Sequence, residues 1–418
     1  MRKGRGFLLV LALVASRPLA AGLPPVPVPA ANPITEPKRV LGKILFWDEQ
    51  LSSDGSVACG TCHRPSAGGG DPRAGRYPGI DKGTIDDVMG SPGIVSLDRD
   101  GHARPHPLFG SAPQVTPRLA PSNFAGIWAD ELFWDGRARS ELKDPLTGKV
   151  AIARGGALEN QALAALLNDS EMAKAGRTWA DVATDLTRGR PLALATNLPP
   201  DTAAAIKTHK TYAALFEAAF GDGAITPVRI AFALATYQRT LVADQTPYDR
   251  FAAGDTSALS DRALHGWKAM QSFHCTACHT PPLFTNNEFF QIGVRRADFD
   301  RGRENVTGDP EDAGEMKVPS LRNAGLKARY MHTGEFTSLG AAIRLYINTL
   351  ALPERDGIPG AGLYTFNMSG IDESDLREFI GSALTDSRVR DETFPFDRPV
   401  LRSEREAAST AMNATPRP

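Results

Sequence analysis

The chain has 418 residues, too many for one small core and enough for two domains of ordinary size. With 42% hydrophobic and 23% charged residues, its composition is that of a globular protein and not a disordered one. A formal net charge of -1 supplies no broad basic face for counterion-driven binding, so nucleic acid is not expected as a partner.

In chain order, Arg2, Lys3 and Arg5 precede an apolar run over 7–15, and the small residues Ala20, Ala21 and Gly22 follow. A positive start, a short apolar run and a small-residue cleavage site read as a secretory signal peptide over 1–21, which implies export to a periplasmic location. That run is too short to span a bilayer, and no membrane span is expected elsewhere. The stretch 22–36 is rich in Pro and Ala and reads as an extended linker. Helical periodicity begins near Pro37, with Val40, Leu41, Ile44 and Leu45 on one face. Residues 66–121 are rich in Gly, Pro and Asp and read as a long packed loop. Further helical patterns fall at about 158–167, 203–220, 227–242, 260–271, 338–349 and 372–384, and strand-like alternation is nearly absent. The small and polar run 249–260 reads as a hinge, and 399–418 as a tail without structure. The expected fold is mainly α, with two helical domains over 37–250 and 251–398.

The four cysteines form two C-x-x-C pairs, Cys59/Cys62 and Cys275/Cys278, and a histidine follows each pair directly, His63 and His279. Exported cysteines in pairs suggest disulfides by default. A thioredoxin-like dithiol wants a βαβ setting, which is missing, and a four-cysteine zinc site leaves both histidines unexplained. The pattern has a single chemical logic as a haem attachment site. Two thiols three residues apart can add to the two vinyl groups of one haem, and the next residue then supplies the proximal imidazole. Two covalently attached haems c are therefore expected, with His63 and His279 as iron ligands.

Five segments carry a resemblance: LGKILFWDEQLSSDGSVACGTCH (Leu41–His63), Arg118 with FWDGRA (Phe133–Ala138), NQALAALLNDSEM (Asn160–Met172), FHCTACHTPPLFTNNEF (Phe273–Phe289) and VPSLRNAGLKARYMHTGEF (Val318–Phe336). The chain resembles the bacterial di-haem cytochrome c peroxidase and MauG family over most of its mature length. The resemblance implies two cytochrome-c-like domains, a peroxidatic haem in the first and an electron-transfer haem in the second. It makes Trp134 the indole between the haems, although a packing role is the alternative, and Trp128 lies outside the motif. It makes Glu171, preceded by Gln161, the distal acid that moves a proton between the two peroxide oxygens. Without it, Glu171 is an ordinary acid at a helix start. It places the sixth ligand of the second iron 14 residues after His332, at Tyr346. Phenolate lowers the potential where thioether raises it, and Met316, Met331 and Met368 are the alternative ligands.

The sequence also departs from the family. Where its peroxidases hold a distal histidine, seven residues before Arg118, stands Ser111, with His102 and His106 nearby in the loop. An open first iron is expected. The family's calcium positions match Leu119, Lys327 and Arg329, so calcium is not expected, and one of the two cations is expected to replace its charge. The pair Ala164–Ala165 stands where Gly-Pro is usual, so the distal pocket is expected to differ in shape. The implied activity is reduction of hydrogen peroxide with electrons from a small cytochrome c or copper protein. The alternatives are peroxide-dependent oxidation of a protein substrate, as in MauG, and a non-catalytic electron-transfer cytochrome.

Overall fold

The computed structural model describes residues 22–79, 86–346 and 368–414. It is mainly helical, and the described strands form four short two-stranded antiparallel sheets. The helices are α1 (Glu36–Phe46), α2 (Cys59–Cys62), α3 (Ala157–Ala164), α4 (Trp179–Arg188), α5 (Pro200–His209), α6 (Tyr212–Phe220), α7 (Pro227–Arg239), α8 (Pro247–Ala252), α9 (Asp261–Ser272), α10 (Glu304–Thr307), α11 (Leu339–Arg344), α12 (Gly370–Glu378), α13 (Ser387–Arg390) and α14 (Arg402–Ala414). No helix among the described residues is long and apolar enough to cross a membrane.

Two cores organise the chain. The first is built where the apolar stripe of α1 meets α7, with Leu41, Ile44, Leu45, Trp47, Phe216 and Tyr237 wholly buried. The Trp47 indole N–H donates to the Tyr237 hydroxyl at 3.2 Å, so neither polar tip is stranded in the core. The second forms where α9 meets α12, around the edge-to-face aromatic group Tyr248, Trp267, Phe284 and Phe379. Both crossings depend on a glycine at the contact. A Cβ on Gly42 would lie 1.9 Å from the Ala233 carbonyl oxygen, and one on Gly266 would lie 2.0 Å from that of Asp375.

Several sequence expectations meet a different outcome. The 22–36 segment is extended but docked: Asn32 is fully buried and donates to Glu159 Oε1 at 2.9 Å, and Glu159 pairs with Arg239 at 2.6 Å. The loop 66–121 contains two hairpins, Gly75–Tyr77 with Val88–Gly90 and Pro92–Val95 with Pro113–Val115. These strands are too short for alternation to register. The single pattern at 203–220 splits into α5 and α6, because Lys210 takes a left-handed conformation and Thr211 caps the second helix. The polar run 249–260 is partly helical in α8.

The tail from 399 is not structureless, since α14 covers Arg402–Ala414. Nor does the C-terminal segment stay with the second core. Val389, Phe396 and Leu401 pack into the first, and Asp397 pairs with the fully buried Lys43 at 2.8 Å. The last part of the expected 251–398 domain therefore completes the first core. The start of α14 is tied down by Glu404, which pairs with Arg398 at 2.8 Å, and by the Arg402 N–H, which donates to Glu49 Oε2 at 2.8 Å.

The α1–α7 crossing can be tested directly. Gly42→Ala forces a methyl group into the Ala233 carbonyl and should cost about 1–3 kcal/mol, read as a lower thermal midpoint of the purified protein. A midpoint equal to that of the parent would show that the helices can part without penalty.

Candidate di-haem site

The two C-x-x-C-H segments adopt matching local geometry. Cys59–Cys62 is one helical turn (α2) and the His63 N–H donates back to the Cys59 carbonyl at 3.0 Å. In the second, Cys275–Ala277 is a tighter turn, and the His279 N–H donates to the Cys275 carbonyl at 2.9 Å. A turn of this kind sets both thiols and the imidazole on one side of the chain. His63 Nδ1 lies 3.1 Å from the Gly69 carbonyl oxygen, and His279 Nδ1 lies 3.2 Å from that of Phe284. With Nδ1–H donating to a carbonyl, Nε2 keeps its lone pair for a metal. Burial lowers both imidazole pKa values, which favours the neutral, ligating form.

The donor set suits haem better than its rivals. Burial pushes the Cys59 thiol up to about 12 and the Cys275 thiol up to about 11, the reverse of an activated dithiol. Beside Cys62 and His63 opens a cavity of about 690 Å³, within the range of cofactor pockets.

The same cavity collects residues from distant parts of the chain. Glu171, Gln161, Trp134 and Arg118 all border it. Glu171 follows a turn in which Asn168 Nδ2 donates to its Oε1 at 2.8 Å. Its backbone is clamped by the neighbouring strand, where the Ile94 N–H donates to its carbonyl at 3.1 Å. Burial raises the Glu171 pKa, with the Arg137 charge and the Asn168 hydrogen bond pulling the other way. His63 is the one histidine on the cavity wall among the described residues. Ser111 and His102 are exposed, and His106 stacks on Phe109 with ring centroids 5.0 Å apart.

Trp134 sits where the two units meet. Its indole N–H donates to the Leu119 carbonyl at 2.7 Å, its carbonyl accepts from the Lys317 N–H at 2.7 Å, and its ring lies 6.1 Å from that of His332. Trp128 is elsewhere, with its indole N–H donating to the Pro24 carbonyl at 3.1 Å. Tyr346 packs in a small cluster with Val294, Leu345, Met331 and Phe336. Burial raises its pKa, and the thiols of Cys275 and Cys278 are close enough to add to the effect. The competing methionines are also near: Met331 shares this cluster, Met368 packs on the second core, and Met316 is buried in a short strand. Of the expected helix 338–349, Leu339–Arg344 is helical, and 347–349 lie outside the described residues.

At the positions matched to calcium, Leu119 is buried and uses its N–H on the His332 carbonyl at 2.8 Å. Arg329 Nη1 donates to the Gly334 carbonyl at 2.9 Å. Lys327 lies against the loop Gly68–Gly70; burial lowers its pKa to about 8, and the charge of Asp71 acts in the opposite sense.

Some site features had no sequence signal. The loop bearing Arg295, Asp298, Phe299, Asp300 and Arg301 comes from the second unit yet walls the first cavity. Arg118 holds it there, donating to Asp135 Oδ2 at 2.6 Å and to Asp300 Oδ1 at 2.6 Å. His332 is buried with no partner at Nε2, and burial lowers its pKa to about 4. Gln238 borders the cavity as well. None of these pairings follows a local spacing, so only a fold-level match pointing to Arg118 hinted at them.

The comparisons with known proteins agree with this architecture. The family model "Di-haem cytochrome c peroxidase" matches residues 36–257. The chain is 28% identical to the methylamine utilization protein MauG of Methylophilus methylotrophus, over 88% of this chain and 92% of that one. It is 29% identical to the cytochrome-c peroxidase IdrP1 of Denitromonas iodatirespirans, over 83% and 84%. Among solved structures, a MauG-like protein associated with microbial copper homeostasis superposes with a TM-score of 0.60 at 23% identity, covering 92% of this chain and 98% of that one. The fold and the paired C-x-x-C-H segments define a di-haem oxidoreductase. The chain belongs to the di-haem cytochrome c peroxidase family, which includes MauG.

The Arg118 triad yields a stability test. Burial would raise the Asp300 pKa, but the Arg118 hydrogen bond and charge outweigh it and the net shift is downward. A depressed carboxyl pKa contributes stability above the unfolded value, lost as pH falls through the folded one. Arg118→Leu should therefore cost about 3 kcal/mol at pH 7, and the gap from the parent should narrow below about pH 4. Urea melts at pH 7 and pH 3.5 with equal differences would refute the pairing.

Proposed function

We propose that the chain is a periplasmic di-haem peroxidase that reduces hydrogen peroxide in its first unit with electrons received through its second. In this reading Cys59 and Cys62 bind one haem covalently with His63 as ligand, and Cys275 and Cys278 bind the other with His279. When bound, the haems supply redox-active iron for the reaction with peroxide and for electron transfer. The observation that carries the reading is Glu171 on the wall of the cavity that also holds Cys62 and His63, with its carboxyl pKa raised by burial.

A carboxyl group so tuned can accept a proton from one peroxide oxygen and return it to the other. Asn168 fixes its orientation, so the proton is held at Oε2 and not lost to a rotating group. Trp134 is assigned the path between the units, because its indole is bonded to the first and its backbone to the second. The electron donor is a small cytochrome c or copper protein of the periplasm. Lys327 stands in for a calcium ion at the interface, so calcium is not required.

Tyr346 favours a second reading. Burial raises its phenol pKa, and iron binding would offset that rise; as a ligand of the second iron it would then supply an anionic oxygen and lower the potential, which suits peroxide-dependent oxidation of a partner protein in the manner of MauG. Optical and EPR spectra of oxidised parent and Tyr346→Met, before and after peroxide, separate the readings. A peroxidase with an open first iron shows a high-spin ferric component. Two low-spin six-coordinate haems that ignore peroxide would instead mark a plain electron carrier.

Two outcomes follow for activity. Glu171→Gln should lower peroxide turnover by about 10²–10⁴-fold with both haems still loaded, and full turnover would remove its role. Treatment with a chelator should leave turnover within about twofold of the starting value; a collapse restored by added calcium would refute the substitution by Lys327.

A further inference from the structure

Gln238 lies on the last turn of α7 and is 5% exposed. With Leu234 one turn earlier on the same face, it borders a narrow recess of about 50 Å³ adjoining the main cavity. Cys62, His63, Gln161, Glu171 and Gln238 border both spaces. The neighbours of Gln238 on the helix have partners: Tyr237 accepts from Trp47, and Arg239 pairs with Glu159. Among the described residues nothing hydrogen-bonds the Gln238 carboxamide. It lines both spaces, where Leu or Met would offer no donor or acceptor.

We propose that Gln238 is a further residue of the peroxide pocket, and that its Nε2–H donates to small oxygen or anionic ligands held beside Gln161 and Glu171. This rests on the first cavity being the peroxide site. Its role differs from that of Glu171. A carboxamide does not titrate, so it offers a donor at every pH to the oxygen that gains negative charge as the O–O bond breaks. Glu171 carries the proton to the departing oxygen, while Gln238 steadies the negative charge on that oxygen until the proton arrives.

The test uses the fully loaded protein and two probe ligands. Fluoride, a strong hydrogen-bond acceptor, is titrated into the ferric protein and followed optically; carbon monoxide is titrated into the reduced protein. Gln238→Leu should weaken fluoride binding about tenfold and leave carbon monoxide within about twofold, because that ligand depends little on a donor. Gln238→Met keeps a side chain of similar length, has no donor and should weaken fluoride as much; it also serves if the Leu variant fails to load haem. Unchanged fluoride affinity in a loaded variant, or equal weakening of both ligands, overturns the assignment. A parent protein that binds neither ligand removes the open first iron, and this assignment with it.

Discussion

The junction of the two units is built around Leu119 and Trp134. Leu119 donates its N–H to the His332 carbonyl and accepts the Trp134 indole N–H on its own carbonyl, and Trp134 accepts from Lys317 through its backbone. Hydrogen bonds act over a narrow range of distance and angle, so the two that cross, braced by the Trp134–Leu119 bond within the first unit, fix the units in one register. Arg118, next in sequence to Leu119, adds charge pairing with each side, Asp135 in the first unit and Asp300 in the second. The cavity beside His63 is complete only because this junction holds the 295–301 loop against it.

The two C-x-x-C-H segments share their proximal construction and differ in what surrounds them. Each histidine is tied through Nδ1 to a carbonyl a few residues on. The first then opens onto a large cavity whose wall includes Glu171 and Gln161, whereas the second is approached by Tyr346 from a small apolar cluster. One local motif thus stands in two environments, and in haem proteins the polarity of the face opposite the histidine governs iron reactivity.

Burial is the common cause of the electrostatic character of the site. Removing a group from water penalises its charged form, so carboxyl and phenol values rise while imidazole and ammonium values fall. Glu171, Tyr346, His63, His279, His332 and Lys327 all follow that rule. Asp300 does not, because a guanidinium in direct contact outweighs desolvation. The result is a pair of imidazoles, His63 and His279, that favour the neutral form, a Glu171 carboxyl with a raised pKa, and a charged Arg118–Asp300 pair at the junction.

What the sequence by itself determined is local. The C-x-x-C-H turns and the stripe of α1 are short-range patterns, and each appears where the residues said it would. Glu171 was legible only through its family setting, because an acid near a helix end has many ordinary reasons to be there. Tertiary structure decided the rest. It folded Val389, Phe396 and Leu401 into the first core and gave α14 to a stretch without pattern. It also brought Gln238 from α7, Glu171 from a turn and Arg295 from the other unit to one cavity. Such contacts join residues far apart in the chain, where no periodicity links them. Their partners are chosen by packing and charge, and those act in space and not along the sequence.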